Sequence, residues 1–148
     1  MTINKQLLLV WIIGNGSSAA QAQVEPMNTA ATTYLVEAFV KGLDPKPGNA
    51  LFIGLLDDQG KQLQSKRIPV DRTVVLVRFD PVPSGEYAIR FYQDENGNGT
   101  LDLGLFSVPK EGVGSSNDAR GFMSAPTLKD MLFDVSGPTA LSMQIKHY

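Results

Sequence analysis

The feature that most constrains the fold is a period-2 alternation of apolar and polar residues, which recurs in short stretches separated by proline and glycine. Alternation at this period places apolar side chains on one face of a β-strand. No window keeps the 3.6-residue period of an amphipathic helix. Six or seven short strands joined by turns therefore predict an all-β domain, an antiparallel β-sandwich of about seven strands with an immunoglobulin-like arrangement.

The pattern also predicts where individual strands lie and where they end. Residues 51–56 are apolar on both sides and predict a central strand. Residues 61–66 are mostly polar and predict an edge strand or a loop, and residues 80–85 contain two prolines and predict a turn. Arg90 is expected on an outer face. The residues expected to share one face of their strands are Tyr34, Val36, Ala38, Val40, Val75, Val77, Phe79, Tyr87, Ile89, Phe91, Met131, Phe133, Val135, Leu141, Met143 and Ile145.

The first 22 residues have the pattern of a secretory signal peptide. Lys5 supplies a positive charge, residues 7–13 form an apolar run too short to span a bilayer, and residues 20–22 have the small-x-small form of a cleavage site. We therefore expect a signal peptide at 1–22, a flexible linker at 23–32 and a single β-sandwich domain at 33–148. The mature protein is expected to be periplasmic or secreted, with no membrane span after signal cleavage.

Composition limits the partners of such an exported protein. Removal of residues 1–22 takes away Lys5 and no acidic residue, so the formal charge changes from −2 to −3. Nucleic acid is not expected as a partner, because binding to phosphate backbones needs clustered Lys and Arg, whereas here the densest group of charges is acidic. The chain has no cysteine, so the fold must depend on its core rather than on disulfides.

Residues 94–102 place oxygen-bearing side chains at alternate positions. The first, third, fifth, seventh and ninth positions are Asp94, Asn96, Asn98, Thr100 and Asp102, and the sixth is a glycine. In calcium loops the first, third and fifth side chains face the ion, the sixth residue is a glycine that allows a sharp turn, the seventh gives its backbone carbonyl, and the ninth contributes directly or through water. The spacing therefore predicts a Ca²⁺ site with these five residues as ligands.

The predicted calcium site differs from an EF-hand at its twelfth position, where Leu105 stands in place of a bidentate Glu. The missing oxygens are expected from Glu111, with Asn117 and Asp118 as further candidates. Two Asn in place of Asp leave few charges, so the expected Kd is weak, about 10⁻⁴ to 10⁻³ M. Two other interpretations remain open. The loop is either a hairpin connection with Asn-Gly turns or a nonspecific acidic patch.

A long segment surrounds this loop. Residues 92–128 contain six of the fourteen glycines and no clear strand period apart from the short stretch 103–108. Loops of this length inside a compact domain are uncommon and are usually functional or disordered. The apolar residues of the segment, Phe106 and Val108 among them, are too numerous for it to stay solvated. We therefore expect one long Gly-rich loop that is ordered, either by a bound cation or by close packing as a cap on one end of the sandwich.

Several separated motifs occur in the same order as in a known family. They are GEYAIR at 85–90, DENGNGTLD at 94–102, PKEGVGSSN at 109–117 and Ala-Pro at 125–126. Over roughly residues 34–148 the sequence resembles an exported bacterial family, domain of unknown function 2141 (DUF2141). The resemblance implies an exported β-sandwich, prealbumin-like or similar to carboxypeptidase-regulatory modules, and it brings no established activity.

Catalysis has little support in the sequence. The only histidine, His147, continues the inward alternation of the last strand at the carboxyl end. No general base with an orienting partner can be identified. We expect a non-catalytic binding or interaction module whose partner is an unknown protein or glycan. The alternative is a hydrolase that uses the carboxylates of the acidic loop.

Overall fold

The computed structural model describes residues 31–121 and 124–148, so the predicted signal peptide and most of the predicted linker lie outside the described residues. Within them, no helix is long and apolar enough to cross a membrane. The elements are β1 (Thr33–Lys41), β2 (Ala50–Asp57), β3 (Gln62–Pro69), β4 (Val74–Pro83), β5 (Gly85–Asp94), β6 (Val113–Ser115), α1 (Leu128–Met131), β7 (Phe133–Val135) and β8 (Thr139–Gln144), with 3₁₀ turns at Leu105–Ser107 and Ser116–Asp118.

These strands form two sheets, which confirms the predicted β-sandwich. The smaller sheet has the order β4-β1-β8, and the larger has the order β3-β2-β5-β6, with β7 also paired to β5. β6 pairs with the last part of β5 and β7 with its first part, so two short strands share one edge of β5. The pairs are antiparallel except for β1 and β8, which run parallel. The sandwich is therefore not wholly antiparallel, because the chain passes from one sheet to the other between β7 and β8.

The core lies between the two sheets and uses the faces that alternation predicted, with one exception. Met131 was expected on the face of Phe133 and Val135, but it lies in α1, where the period of a strand does not hold, and it packs in a separate cluster. Tyr34, Phe133 and Leu141 are partly buried at its border. Arg90 is exposed, as expected for the outer face of β5. Each sheet therefore contributes one apolar face to a shared core. The buried residues of this core include Val36, Ala38, Val40, Val75, Val77, Phe79, Tyr87, Ile89, Phe91, Val135, Met143 and Ile145.

Part of the outer face of β2 and β5 is also apolar, at the position where α1 covers it. Leu56 and Ala88 are buried together with Met131 in a second, smaller cluster. α1 begins after Thr127, whose hydroxyl oxygen accepts a hydrogen bond from the N–H of Asp130 at 3.3 Å. β2 lies between β3 and β5 and is covered on both faces, which confirms its prediction as a central strand.

The predicted turn at residues 80–85 was wrong over most of its length. β4 continues through Pro83, and β5 begins at Gly85. β4 is at the edge of its sheet and pairs only with β1, and prolines are tolerated on edge strands because a free edge needs no N–H donors. The β1–β4 register shifts between Tyr34 and Val36, which accommodates the irregular stretch.

The predicted short strand at residues 103–108 was also wrong, as was the expected burial of its side chains. A single bridge joins Leu103 to Pro109, and the chain between them makes a tight turn instead of a ladder. Phe106 is 94% exposed, and Val108 is exposed as well. Residues 103–108 therefore project from the domain and are called the apolar tip below.

Candidate functional site

The acidic loop, residues 94–102, begins at the last residue of β5. Asp94 is fully buried there. Its carboxylate oxygens accept hydrogen bonds from the N–H groups of Gly97, at 2.7 Å, and Gly99, at 2.8 Å. Both glycines have positive φ angles, 75° and 79°, which other residues adopt only with strain. The sheet thus fixes the Asp94 carboxylate, and the loop backbone folds around that carboxylate.

The side chains at the third, fifth and ninth positions of the loop meet at one atom. The amide nitrogens of Asn96 and Asn98 lie 2.5 Å and 2.9 Å from Oδ2 of Asp102. The amide oxygen of Asn96 accepts the N–H of Asn98 at 3.0 Å, and that of Asn98 accepts the N–H of Thr100 at 2.9 Å. The side chains of Asn96, Asn98 and Asp102 therefore converge within the loop.

Glu111 closes the acidic loop from outside it. Its side chain is buried, with Oε1 accepting the N–H of Glu95 at 2.9 Å and Oε2 accepting the N–H of Asp102 at 3.1 Å. One carboxylate thus connects the second residue of the loop to the ninth. Of the three residues expected to replace the twelfth-position Glu, Glu111 is the one that the fold brings to the loop.

Asn117 and Asp118 have other roles. The amide nitrogen of Asn117 donates to the carbonyl of Leu132 at 2.8 Å, which holds the segment after α1. Oδ1 of Asp118 accepts the N–H of Gln144 at 2.8 Å at the end of β8. Both side chains therefore join other elements of the fold and do not bond to the acidic loop.

The sequence did not predict two residues of this site, Glu95 and His147. Their side chains contact each other beside the acidic loop. Nε2 of His147 lies 2.6 Å from Oε1 of Glu95, which also accepts the N–H of Gly112 at 3.2 Å. His147 is exposed, so its predicted inward position was wrong. The last strand ends at Gln144, and the chain beyond Ile145 leaves the core and crosses toward the loop. Alternation within β8 contains no signal for that crossing.

Tyr92 connects the loop to the outer face of the larger sheet. Its hydroxyl donates to the carbonyl of Gly99 at 3.1 Å. Its ring stacks on Phe52 of β2, with centroids 5.0 Å apart. Partial burial and then the negative charges of Asp94 and Glu111 raise the pKa of the Tyr92 phenol above its ordinary value.

In the described part of the chain, the carboxylates of Asp94, Asp102 and Glu111 have no Lys, Arg or His side chain within ion-pair distance. Buried carboxylates need hydrogen bonds or a cation to offset desolvation. Backbone N–H groups supply that partner for Asp94 and Glu111, and each carboxylate oxygen keeps lone pairs for a further contact. Within residues 31–121 and 124–148, no three His, Cys, Asp or Glu side chains gather closely enough to hold a metal by themselves. The ion pairs among the described residues are Lys46–Asp44, Arg72–Asp71 and Arg78–Glu37, and the contact of His147 with Glu95 is an ion pair only when the imidazole is protonated.

The family described as "Uncharacterized protein conserved in bacteria (DUF2141)" matches residues 52–142, which is more than half of the chain. The chain belongs to this family. The match runs from β2 into β8, so the acidic loop, Glu111 and the apolar tip all lie inside the DUF2141 region. No curated protein and no solved structure matches the chain significantly. Membership in DUF2141 therefore agrees with the resemblance in the sequence and leaves the function to be argued from the site.

Proposed function

We propose that this chain is an exported, non-catalytic binding module whose acidic loop holds one weakly bound calcium ion. The observation that carries the proposal is the convergence of Asn96, Asn98 and Asp102 on one point beside two buried carboxylates. Calcium takes six to eight oxygen ligands, and amide and backbone carbonyl oxygens serve as well as carboxylates. A site with few carboxylates is therefore compatible with calcium. The partner of the binding module is expected to be a protein or a glycan.

The proposed ligands are those that the spacing predicted. Asp94, Asn96, Asn98 and Asp102 would supply side-chain oxygens, Thr100 its backbone carbonyl, and Glu111 a further carboxylate. Asn96 and Asn98 would have to rotate their amides so that oxygen rather than nitrogen faces the ion. Calcium would then replace two existing hydrogen bonds to Asp102. This exchange, with the small number of charges, supports weak binding of the kind found in extracellular modules.

The test of this proposal is the thermal stability of the protein as a function of calcium. Binding to the folded state alone adds about 1.4 kcal/mol at ten times Kd, which raises Tm by about 5 °C in a domain of this size. Asp102→Asn keeps the volume of the side chain and removes its charge, so this variant is expected to lose the increment. Asp58→Asn removes the same charge from the exposed β2–β3 turn and is expected to keep it.

Titration calorimetry of chelator-treated protein should find one calcium per chain. A wild-type Tm that does not move at about 10 mM calcium, well above the expected Kd range, would leave the loop as a hydrogen-bonded connection only. The same conclusion would follow if calcium raised the Tm of Asp102→Asn as much as it raises the Tm of Asp58→Asn. Stoichiometric heat without turnover separates the binding module from the alternative, a hydrolase.

The proposed export predicts a processed amino terminus. Cleavage after Ala22 should leave Gln23 as the first residue, because residues 20–22 form the small-x-small site after an apolar run. Mass spectrometry of protein recovered from the cell envelope or the medium measures this directly. Intact chains that begin at Met1 in the membrane fraction would contradict processing.

A further inference from the structure

The apolar tip carries the most exposed large apolar side chains among the described residues. Phe106 is 94% exposed and Leu105 is 84% exposed, and Leu103 and Val108 are also open to solvent. Single exposed apolar residues are common on protein surfaces, whereas a contiguous group on one projection indicates a contact surface. The tip is therefore a candidate for contact with another molecule.

The backbone of the tip holds these side chains outward. The N–H of Gly104 donates to the carbonyl of Val108 at 2.7 Å, which closes the turn at its base. Phe106 and Ser107 have positive φ angles of 59° and 60°. Such angles are unusual for a bulky side chain and strain the backbone, and strain of this kind clusters at functional positions. The turn thus presents Leu105 and Phe106 at its apex instead of folding them against the domain.

The size of the tip does not match a stable protein interface. Its exposed apolar side chains offer on the order of 500 Å² between them, given 150 to 250 Å² for an aromatic ring and less for an aliphatic chain. A stable protein–protein interface buries about 800 Å² on each partner. The side chains of Leu105 and Phe106 can enter the boundary between lipid headgroups and acyl chains, where no matching pocket and no minimum area are needed.

One cation accompanies the tip. Cγ and Cε of Lys110 both lie 3.6 Å from the position that a Cβ would take on Gly104, so the lysine side chain runs along the base of the tip. Lys110 is the only basic residue between positions 91 and 119. An ammonium group beside apolar side chains suits the phosphate of a phospholipid headgroup. The four acidic residues Asp94, Glu95, Asp102 and Glu111 disfavour a strongly anionic surface.

We infer that the apolar tip docks this domain on a zwitterionic phospholipid surface, with Leu105 and Phe106 inserted and Lys110 at the headgroup phosphates. The contact is reversible, because two inserted side chains are a smaller anchor than a single acyl chain. It uses residues outside the acidic loop and does not depend on calcium.

The test is flotation of the protein with phosphatidylcholine vesicles in a buffer that contains a calcium chelator. Wild type should float with the vesicles, and the double variant Leu105→Ser, Phe106→Ser should lose about tenfold or more of its partition coefficient. Leu63→Ser removes an exposed leucine from the edge strand β3 and should leave flotation unchanged. All three proteins share the same amino terminus, so a difference between them reports on the tip. Circular dichroism checks that each variant is folded.

A fluorescent probe gives a second readout. The chain has one tryptophan, Trp11. In the double variant Trp11→Phe, Phe106→Trp the single indole is at the tip, so vesicles should shift its emission to shorter wavelength and brominated lipids should quench it. The inference is overturned if wild type stays in solution, if the Ser variant floats equally, or if the emission is unchanged. It is also overturned if wild type sediments as a dimer and the Leu105→Ser, Phe106→Ser variant as a monomer, since the tip would then be a contact between copies of the chain.

Discussion

Ile89→Asp is expected to unfold the domain, whereas Arg90→Asp, one residue further along β5, is expected to leave it folded. Ile89 is fully buried between the two sheets. An unpaired carboxylate in that position costs several kcal/mol, against a total stability of about 5 to 15 kcal/mol for a typical domain. Arg90 is exposed on the opposite face of the same strand, where a carboxylate stays in water.

The two variants differ by one position and carry the same new side chain, so each is the control for the other. Urea denaturation followed by far-UV circular dichroism measures both. The Ile89→Asp protein should be unfolded in buffer or show a greatly reduced midpoint, and the Arg90→Asp midpoint should stay near that of wild type. Equal midpoints would mean that the assigned register of β5 is wrong.

Asp94→Ala is expected to destabilise the domain by about 3 kcal/mol or more in the absence of calcium. The two oxygens of Asp94 accept one N–H each, from Gly97 and Gly99. Hydrogen bonds to a charged group contribute about 1.5 to 3 kcal/mol each, so the loss of both from the fully buried Asp94 side chain accounts for the expected effect. Hydrogen exchange at the amides of Gly97 and Gly99 should rise in the same variant.

Asp57→Ala is the matched control for this variant. Oδ1 of Asp57 also accepts two N–H groups, from Gln59 at 3.0 Å and Lys61 at 2.8 Å, but it does so in an exposed turn. Water can replace those bonds, so the expected loss is about 1 kcal/mol. Urea midpoints measured with a chelator present compare the two. Similar losses for Asp94→Ala and Asp57→Ala would show that burial of the Asp94 carboxylate does not stabilise the fold.

Alternation predicted the buried faces of β1, β4 and β5 because the direction of a side chain in a strand depends only on its local position. The parallel pairing of β1 with β8 could not be predicted in this way. Val36 pairs with Thr139, which is far away along the sequence, and no local pattern specifies such a partner. The continuation of β4 to Pro83 was missed for the same reason, since the tolerance for proline depends on whether the strand is at an edge.

The candidate site also contains some contacts that local sequence predicts and others that it does not. Spacing alone brought Asn96, Asn98 and Asp102 together, because nine residues with two positive-φ glycines determine most of their own geometry. Glu111 could be named only among three candidates, since its place depends on the path of the long segment. The contact between His147 and Glu95 joins residues 52 positions apart and had no signal in the sequence.

The apolar tip shows where hydrophobicity misleads. Phe106 and Val108 were expected to be buried because apolar residues are usually buried, and the prediction took no account of the backbone that carries them. A tight turn with positive φ angles points the side chains away from the domain. Composition therefore indicated order in this segment but not the direction in which it packs.

The hydrogen bond from the N–H of Lys110 to the carbonyl of Asp102, at 2.9 Å, joins the two ends of the segment between them. Glu111 then anchors both sides of this junction to the end of β5. The peptide that leaves at Asp102 therefore re-enters the domain at the same place, and the rest of the molecule does not depend on its length. Because the entropy of closing a loop grows only slowly with the number of residues, this position can accept a longer or different peptide at small cost. The domain thus has a built-in grafting site, where new sequence can be displayed without rebuilding the sheets.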